Sequence, residues 1–250
     1  MARQIGTLKV QGTVGNVTFA QTKDGSIVKR KSSLTRRKIL TNAAFAKTRQ
    51  INAEFTTAAK AGKILREAVK PLMVMKDSNL PSRLVKEFWK VLASDTTGEL
   101  GTHIVSRGNV ALLEHFNYNS KSSFSSIVSV PSEVMMNRAT GELSISFSAF
   151  IPVQSLTAPA GATHFNIVSA AVEINFDEQT FVCDTNETGS LSYNTMTTGV
   201  ITLVNTVSAN SVNPLFLVVG IRFYNEINGV QYLLKDAMYN PLTIVKVSVE

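Results

Sequence analysis

The stretch that decides the fold is LFLVVGIRFYNEINGVQYLL, residues 215–234. Two apolar runs, 215–224 and 230–234, flank Asn228-Gly229, a pair that favours the tight turn of a β-hairpin because both residues accept a positive φ. The apolar part of the stretch is much shorter than the roughly 20 residues that a membrane-spanning helix needs. This region is therefore predicted to be a hairpin of a β domain.

The same composition continues on both sides of this hairpin. Further segments rich in Val, Ile, Thr, Phe and Tyr are bounded by Gly, Pro and Asn turns and predict strands over 125–130, 143–151, 165–176, 199–208 and 242–249. Residues 143–148 alternate strictly between apolar residues and serine, which predicts one buried and one solvated face. About seven short strands with this spacing predict an antiparallel sandwich of immunoglobulin-like topology.

Upstream of these strands the apolar period is helical. Apolar residues recur at three- and four-residue spacing from Thr35 to Val69, with Ser33 or Thr35 as the cap, Pro71 as the stop and Gly62 as a candidate break. Two further helices are predicted over 81–92 and 109–115.

The first 31 residues again have a strand pattern. Asp24-Gly25 lies between 16–22 and 26–30, which predicts a hairpin preceded by a glycine-kinked extended segment. A two-stranded hairpin is marginal alone in water, so we expect it to dock onto its own β domain or onto a neighbouring subunit. The sequence thus predicts an α+β protein with a β arm or hairpin (1–34), a basic helical region (35–120) and an antiparallel β-sandwich (121–250).

Charge is distributed very unevenly along the chain. Residues 1–90 contain 19 Lys and Arg against five Asp and Glu, a balance of +14, whereas residues 91–250 contain six against 13, a balance of −7. Six cations fall within ten positions, 29–38. A basic head seeks polyanions, or the acidic part of another copy, or it packs on the acidic part of its own chain.

The residues with catalytic or metal-binding chemistry are few and are not arranged in a known motif. The three histidines, His103, His115 and His164, are not spaced to place two imidazoles on one helix face, and Cys183 is the only cysteine. The acidic run 184–187 is predicted to be a solvated turn, because it lacks the length and glycine placement of a calcium-binding loop. No zinc-protease, nucleophile-elbow or phosphate-loop motif occurs. We therefore expect no enzyme activity, no cofactor and no metal.

The opening residues lack the apolar segment of a secretory signal, so we expect cytoplasmic synthesis and no membrane span. Assembly outside the cell would then follow lysis or an unrecognised export route, and assembly in a virion is the other location left open.

Two functions remain in competition. In the first, the arm adds to a sheet edge of the next copy and the contact repeats into a filament or fibre. Its pocket-filling side chains would be Val14, Val17, Phe19, Ile27 and Val28. Its electrostatic guides would be Lys29, Arg30, Lys31, Arg36, Arg37 and Lys38. In the second, the same cations bind nucleic acid or another polyanion without sequence preference.

Four short motifs in the first 70 residues carry a resemblance: Gly12 to Phe19 (GTVGNVTF), Val28 to Lys31 (VKRK), Asn42 to Phe45 (NAAF) and Glu54-Phe55. In these motifs the chain resembles an uncharacterised bacterial family of small proteins with a basic head. The resemblance implies a self-assembling fibre subunit, since some relatives are thought to build fibres, and it implies no catalytic residue. A phage tail or capsid subunit is the alternative structural role.

Overall fold

The computed structural model describes residues 2–5, 9–74 and 77–249. Its strands are β1 (Ala2–Arg3), β2 (Gly12–Val14), β3 (Val17–Thr22), β4 (Gly25–Arg30), β5 (Ser132–Asn137), β6 (Glu142–Phe147), β7 (His164–Asn175), β8 (Thr180–Glu187), β9 (Leu191–Ser192), β10 (Ile201–Thr206), β11 (Leu215–Ile227), β12 (Val230–Leu233) and β13 (Leu242–Ser248). Its helices are α1 (Arg36–Thr41), α2 (Ala46–Ala68), α3 (Leu80–Ala93), α4 (Phe124–Ile127) and α5 (Pro152–Ser155). The helices and the antiparallel sheets confirm the prediction of a mixed α+β protein.

The chain divides into two compact units, Met1–Gln50 and Ile51–Glu250, called here the N-terminal unit and the C-terminal unit. The boundary falls within α2. The helices α2 and α3 share one hydrophobic core with the strands that follow them, so most of the predicted helical region belongs to the same unit as the predicted sandwich.

The N-terminal unit contains a four-stranded antiparallel sheet in the order β1-β4-β3-β2. The predicted hairpin is present as β3 and β4, with Gly25 supplying a positive φ of 116° after the turn. The extended segment predicted ahead of it also pairs, because Gly15 takes a φ of 57° and turns β2 back against β3. The leading strands therefore pair with one another.

The helical segment begins as the sequence predicts and breaks at a different residue. Thr35 caps α1 by accepting a hydrogen bond from the backbone N–H of Lys38. The break falls at Asn42, whose side chain caps the following turn over Ala43–Phe45. Gly62 does not interrupt α2. It faces α3, where an added Cβ would lie 3.2 Å from Cβ of Leu84, so the missing side chain allows the two helices to approach closely.

The C-terminal unit is built around a six-stranded sheet. The long strands β7 and β11 pair at its centre, β8 and β9 extend it beside β7, and β12 and β13 extend it beside β11. The hairpin between β11 and β12 confirms the turn predicted at Asn228-Gly229, where both residues have positive φ. Nearly every residue of β7 and the first seven of β11 are buried, because both faces of the sheet are covered.

The two covering layers differ. On one face, α2 and α3 pack against alternate residues of the central strands, with Phe88 of α3 meeting Phe176 edge-on at 5.4 Å between ring centres. On the other face lies a three-stranded sheet in the order β10-β6-β5. In β6, Leu143, Ile145 and Phe147 are buried whereas the intervening serines are not, which confirms the predicted alternation.

Several local predictions are wrong. The strand predicted over 125–130 begins instead as the short helix α4, because Ser123 forms a capping box with Ser126. The helix predicted over 109–115 is a single turn of 3-10 helix, Val110–Leu113. The acidic run 184–187 lies within strand β8 and is not a turn. The short helix α5 and a 3-10 turn over Val105–Arg107 also lie where the sequence predicts no helix.

A close approach in the central sheet gives a stability test. A Cβ added at Gly220 in β11 would lie 2.8 Å from the carbonyl oxygen of Pro241 and 3.0 Å from Cδ1 of Leu242. We expect Gly220→Ala to lower the free energy of unfolding by about 1–3 kcal/mol through overpacking. Gly199→Ala is the matched control, because nothing lies within 4 Å of the added Cβ. Denaturant unfolding of both variants makes the comparison, and equal stabilities would contradict the packing described here.

Candidate functional site

The apolar residues of the N-terminal sheet lie mostly on one face. Directly paired residues of an antiparallel sheet project to the same side, and the register pairs Val14 with Val17 and Phe19 with Val28. Val17 and Phe19 are two positions apart on β3 and therefore share that side. These four residues, Val14, Val17, Phe19 and Val28, are called the apolar face.

The fifth predicted contact residue is separated from the other four. Ile27 precedes Val28 on β4 and pairs with Ala20, so its side chain projects to the opposite side of the sheet. The sequence alone places Ile27 and Val28 on opposite sides of one strand, since neighbouring strand residues alternate. Which of the two shares a side with Val17 and Phe19 depends on the register between β3 and β4.

The apolar face is not buried. Val14 is 69% exposed and Val17 is 37% exposed, and Phe19 and Val28 are only partly covered. Among the described residues of the N-terminal unit, only Ser26 is buried. The sheet thus lacks a hydrophobic core of its own, and its outer strands β1 and β2 each pair on one side only within the described chain.

The six predicted cations are all exposed. Lys29 and Arg30 end β4 on opposite faces of the sheet, Lys31 follows them, and three successive residues open α1: Arg36, Arg37 and Lys38. Within the described residues, none of these side chains takes part in an ion pair or hydrogen bond. The N-terminal unit contains eleven Lys and Arg and one Asp, a balance of +10, whereas the C-terminal unit contains 14 and 17, a balance of −3.

One cation of the N-terminal unit has a structural role that the sequence did not reveal. Nη1 of Arg49 donates to the backbone carbonyls of Ile39 and Asn42, each at 2.9 Å. The guanidinium thereby supplies a donor to the carbonyl of Ile39 near the end of α1 and a second donor to the carbonyl of Asn42, which also accepts the backbone N–H of Phe45. The sequence does not distinguish Arg49 from the other basic residues, because its role depends on the turn between α1 and α2.

Two buried carboxylates organise the loop after α3 in the C-terminal unit. Glu54 lies 2.5 Å from Nδ1 of His103 and accepts the backbone N–H of Gly101 at 2.8 Å. Asp95 accepts hydrogen bonds from the hydroxyl of Thr97 at 2.7 Å and from backbone N–H groups of the same loop. The hydrogen bond from the Thr97 hydroxyl, together with those backbone donors, outweighs burial and holds the pKa of Asp95 far below its usual range. The carboxylates thus fix the loop.

A second buried carboxylate network lies at one end of the central sheet. Glu173 of β7 accepts hydrogen bonds from the hydroxyl of Ser211 at 2.5 Å, from the side chain of Asn213 at 2.9 Å and from the backbone N–H of Ser208 at 3.2 Å. Burial alone would raise the pKa of Glu173, but these hydrogen bonds together lower it.

Arg138 fixes the same loop from the other side. Its Nη1 donates to the carbonyls of Ser211 and Asn213 at 2.6 and 3.0 Å, and its Nη2 donates to the carbonyl of Ser248 at 2.7 Å. The loop before β11 is therefore tied both to β7 and to the end of β13.

Several further charged side chains form ion pairs at the surface. A cleft between α3 and residues 112–117 is lined by charged side chains, among them Arg83, Glu87 and Glu114. Glu87 lies 2.5 Å from Nζ of Lys90 and Glu114 lies 3.2 Å from Nζ of Lys246. In the part of the chain that the structure describes, no three His, Cys, Asp or Glu residues come together as metal ligands would. No helix there is long and apolar enough to cross a membrane.

No family model, no curated protein and no solved structure matches this chain. The resemblance to a family with a basic head stays a prediction.

The Glu173 network predicts a pH dependence of stability. Because folding lowers the pKa of Glu173, its carboxylate stabilises the fold above the unfolded value of about 4.3. That contribution is lost as the pH falls below about 4.3 toward the folded value. We expect Glu173→Gln to lower the free energy of unfolding by about 1–3 kcal/mol at pH 7, since the three donors lose their charged acceptor.

The measurement is urea unfolding of the wild type and the variant from neutral pH down to about pH 3, around the unfolded value. The difference in stability should shrink as the pH falls. Glu178→Gln is the matched control, because Glu178 is exposed on the turn between β7 and β8. A difference that is constant with pH would contradict this role for Glu173.

Proposed function

We propose that this protein is a structural subunit that assembles with copies of itself into a filament or fibre. The contact would form between the apolar face of one copy and the C-terminal unit of the next. The observation that carries the proposal is the lack of burial of Val14, Val17, Phe19 and Val28 within the chain. A tail or capsid subunit of a phage would use the same kind of contact.

The N-terminal sheet is small and gains stability when a further layer covers one of its faces. A small sheet is independently stable only when one of its faces packs on another layer. Burying a Val or Phe side chain fully contributes about 1.5–3 kcal/mol. Covering the apolar face would therefore stabilise the N-terminal unit and the contact between copies at once.

Free strand edges of the C-terminal unit supply candidate acceptors. The outer side of β13 is covered by residues 115–118, since His115 donates its backbone N–H to the carbonyl of Ile244 at 2.8 Å and Tyr118 donates to that of Leu242 at 2.8 Å. The edge of β8 is linked to β10 through Asn186 and Asn205. In the described chain no strand pairs with the outer side of β12 or β5, so these edges can accept an added strand.

Of the two free edge strands, β12 and β5, β12 is the better candidate to contact the apolar face. Val230 and Tyr232 of this strand are 51% and 55% exposed, and Ile227 across the hairpin is 53% exposed. The register pairs Ile227 with Val230 and places Tyr232 on the same side. In this proposal the acceptor is the C-terminal unit, taken as an immunoglobulin-like sandwich, and the leading strands are the donating arm.

The kind of contact between copies determines that the assembly would continue from one copy to the next. A surface at one end of the chain that binds a different surface on the next copy gives a heterologous contact, which continues into a ring or an open filament. The balance of +10 on the N-terminal unit against −3 on the C-terminal unit favours this head-to-tail order. Six cations would act as electrostatic guides in this contact. They are Lys29 and Arg30 at the end of β4, Lys31 directly after it, and Arg36, Arg37 and Lys38 of α1.

The test replaces two apolar side chains of this face by threonine, which reduces the apolar area and keeps the strands. We expect the double variant Val14→Thr and Val17→Thr to weaken self-association about tenfold or more, since about 1.4 kcal/mol corresponds to a factor of ten. Threonine is also β-branched and retains the strand preference. Sedimentation velocity over a range of concentrations, together with negative-stain microscopy, measures the assembly.

Ile27→Thr is the matched control, because Ile27 lies on the opposite side of the same sheet. It should assemble like the wild type. Wild-type protein that stays monomeric at all concentrations, or a double variant that assembles as well as the control, would overturn the proposal.

A second variant tests the acceptor. We expect Val230→Thr combined with Tyr232→Thr to weaken assembly to a similar extent, because both side chains lie on the edge strand β12. Met135→Thr on β5, which is 64% exposed at the other free edge, is the control. Loss of assembly in the β5 variant alone would assign the acceptor to that edge instead.

A further inference from the structure

The charge of the N-terminal unit exceeds what another copy of the chain can neutralise. The unit carries +10 and the C-terminal unit carries −3, so complete head-to-tail pairing leaves +7 on every subunit. Like-charged subunits brought together in an assembly repel one another. A separate polyanion is the kind of partner that removes this repulsion.

The cations of this unit are available for such a partner. Among the described residues, Arg49 is the one Lys or Arg of the unit whose side chain hydrogen-bonds to the protein, and the six cations at 29–38 are all exposed. Asp24 is the only carboxylate of the unit. The charges are therefore not held in internal ion pairs of the described chain.

The arrangement of these cations fits an extended partner. Lys29 and Arg30 project from opposite sides of β4, because successive strand residues alternate. Arg36, Arg37 and Lys38 are consecutive in α1, where each residue turns by about 100° from the one before. Charges that point in several directions contact many phosphates along a chain and do not form a pocket for a single phosphate.

We infer that the N-terminal unit binds the phosphate backbone of nucleic acid without sequence preference. Lysines and arginines that neutralise backbone phosphates release counterions, which gives affinity without a rigid site. An anionic lipid surface fits less well, because the inserted side of a membrane-surface element is rich in Trp, Phe and Leu, whereas the apolar face of this sheet consists of one Phe and three Val.

The experiment titrates the full-length protein into a short labelled duplex of random sequence and into single-stranded RNA, at salt concentrations of about 50–200 mM. Six phosphate contacts predict a slope of log affinity against log salt of about −5 for duplex DNA and about −4 for a single strand. The affinity for the duplex should fall about a thousandfold over this range. The two nucleic acids show which form of the phosphate backbone is preferred.

The charge variant is K29Q/K31Q/R36Q/R37Q/K38Q, which leaves Arg30 beside the apolar face unchanged. We expect it to flatten the slope for duplex DNA by about 4.5, since each of the five lost contacts removes about 0.9. The matched control, K60Q/K63Q/K70Q/K86Q/K121Q, removes five exposed charges from the C-terminal unit and should keep the wild-type slope. A smaller variant, K29Q/R36Q, should give an intermediate slope if the larger one folds poorly.

Four outcomes would overturn the inference. They are no binding to either nucleic acid at low salt, an equal loss in the control variant, tighter binding to vesicles containing phosphatidylserine, and a charge variant that loses self-association but keeps nucleic-acid binding. Repeating the titration with the Val14→Thr and Val17→Thr variant separates the two proposals, because binding should persist in a protein that no longer assembles.

Discussion

Burial of the two central strands on both faces is the constraint on which the C-terminal unit depends. β7 and β11 pair over ten residues, and their alternate side chains enter either the core under α2 and α3 or the core under the three-stranded sheet. Neither layer could be removed without exposing one side of these strands. The helices, the six-stranded sheet and the smaller sheet therefore form a single cooperative structure.

The N-terminal unit, by contrast, has no hydrophobic core of its own among the described residues. Its four strands pair with one another, but the apolar face of the sheet stays exposed, and the eleven Lys and Arg of the unit have one carboxylate, Asp24, against them. Backbone hydrogen bonds contribute little net free energy to folding without burial of apolar area. A unit of this kind gains most of its stability from what covers it, which is why both proposals place its partner outside the chain.

The two proposals use different chemistry on the same small unit. Self-assembly depends on apolar area at Val14 and Val17, which is insensitive to salt in comparison with charge contacts. Nucleic-acid binding depends on Lys29 and the cations of α1, and it weakens steeply with salt. A fibre of subunits that each retain +7 would be favoured by a bound polyanion, so the two activities would support each other.

The sequence by itself determined the elements whose signal is local: the Asn228-Gly229 hairpin, the alternation in β6, the cap at Thr35 and the excess of positive charge at the start of the chain. Only the tertiary structure decided which face each residue occupies. The register between β3 and β4 places Val28, and not Ile27, on the side of Val17 and Phe19, and Gly62 lies within α2 where that helix closely approaches α3. The Glu173 network joins residues far apart in sequence, and such pairings leave no local pattern because each partner alone looks like an ordinary polar residue.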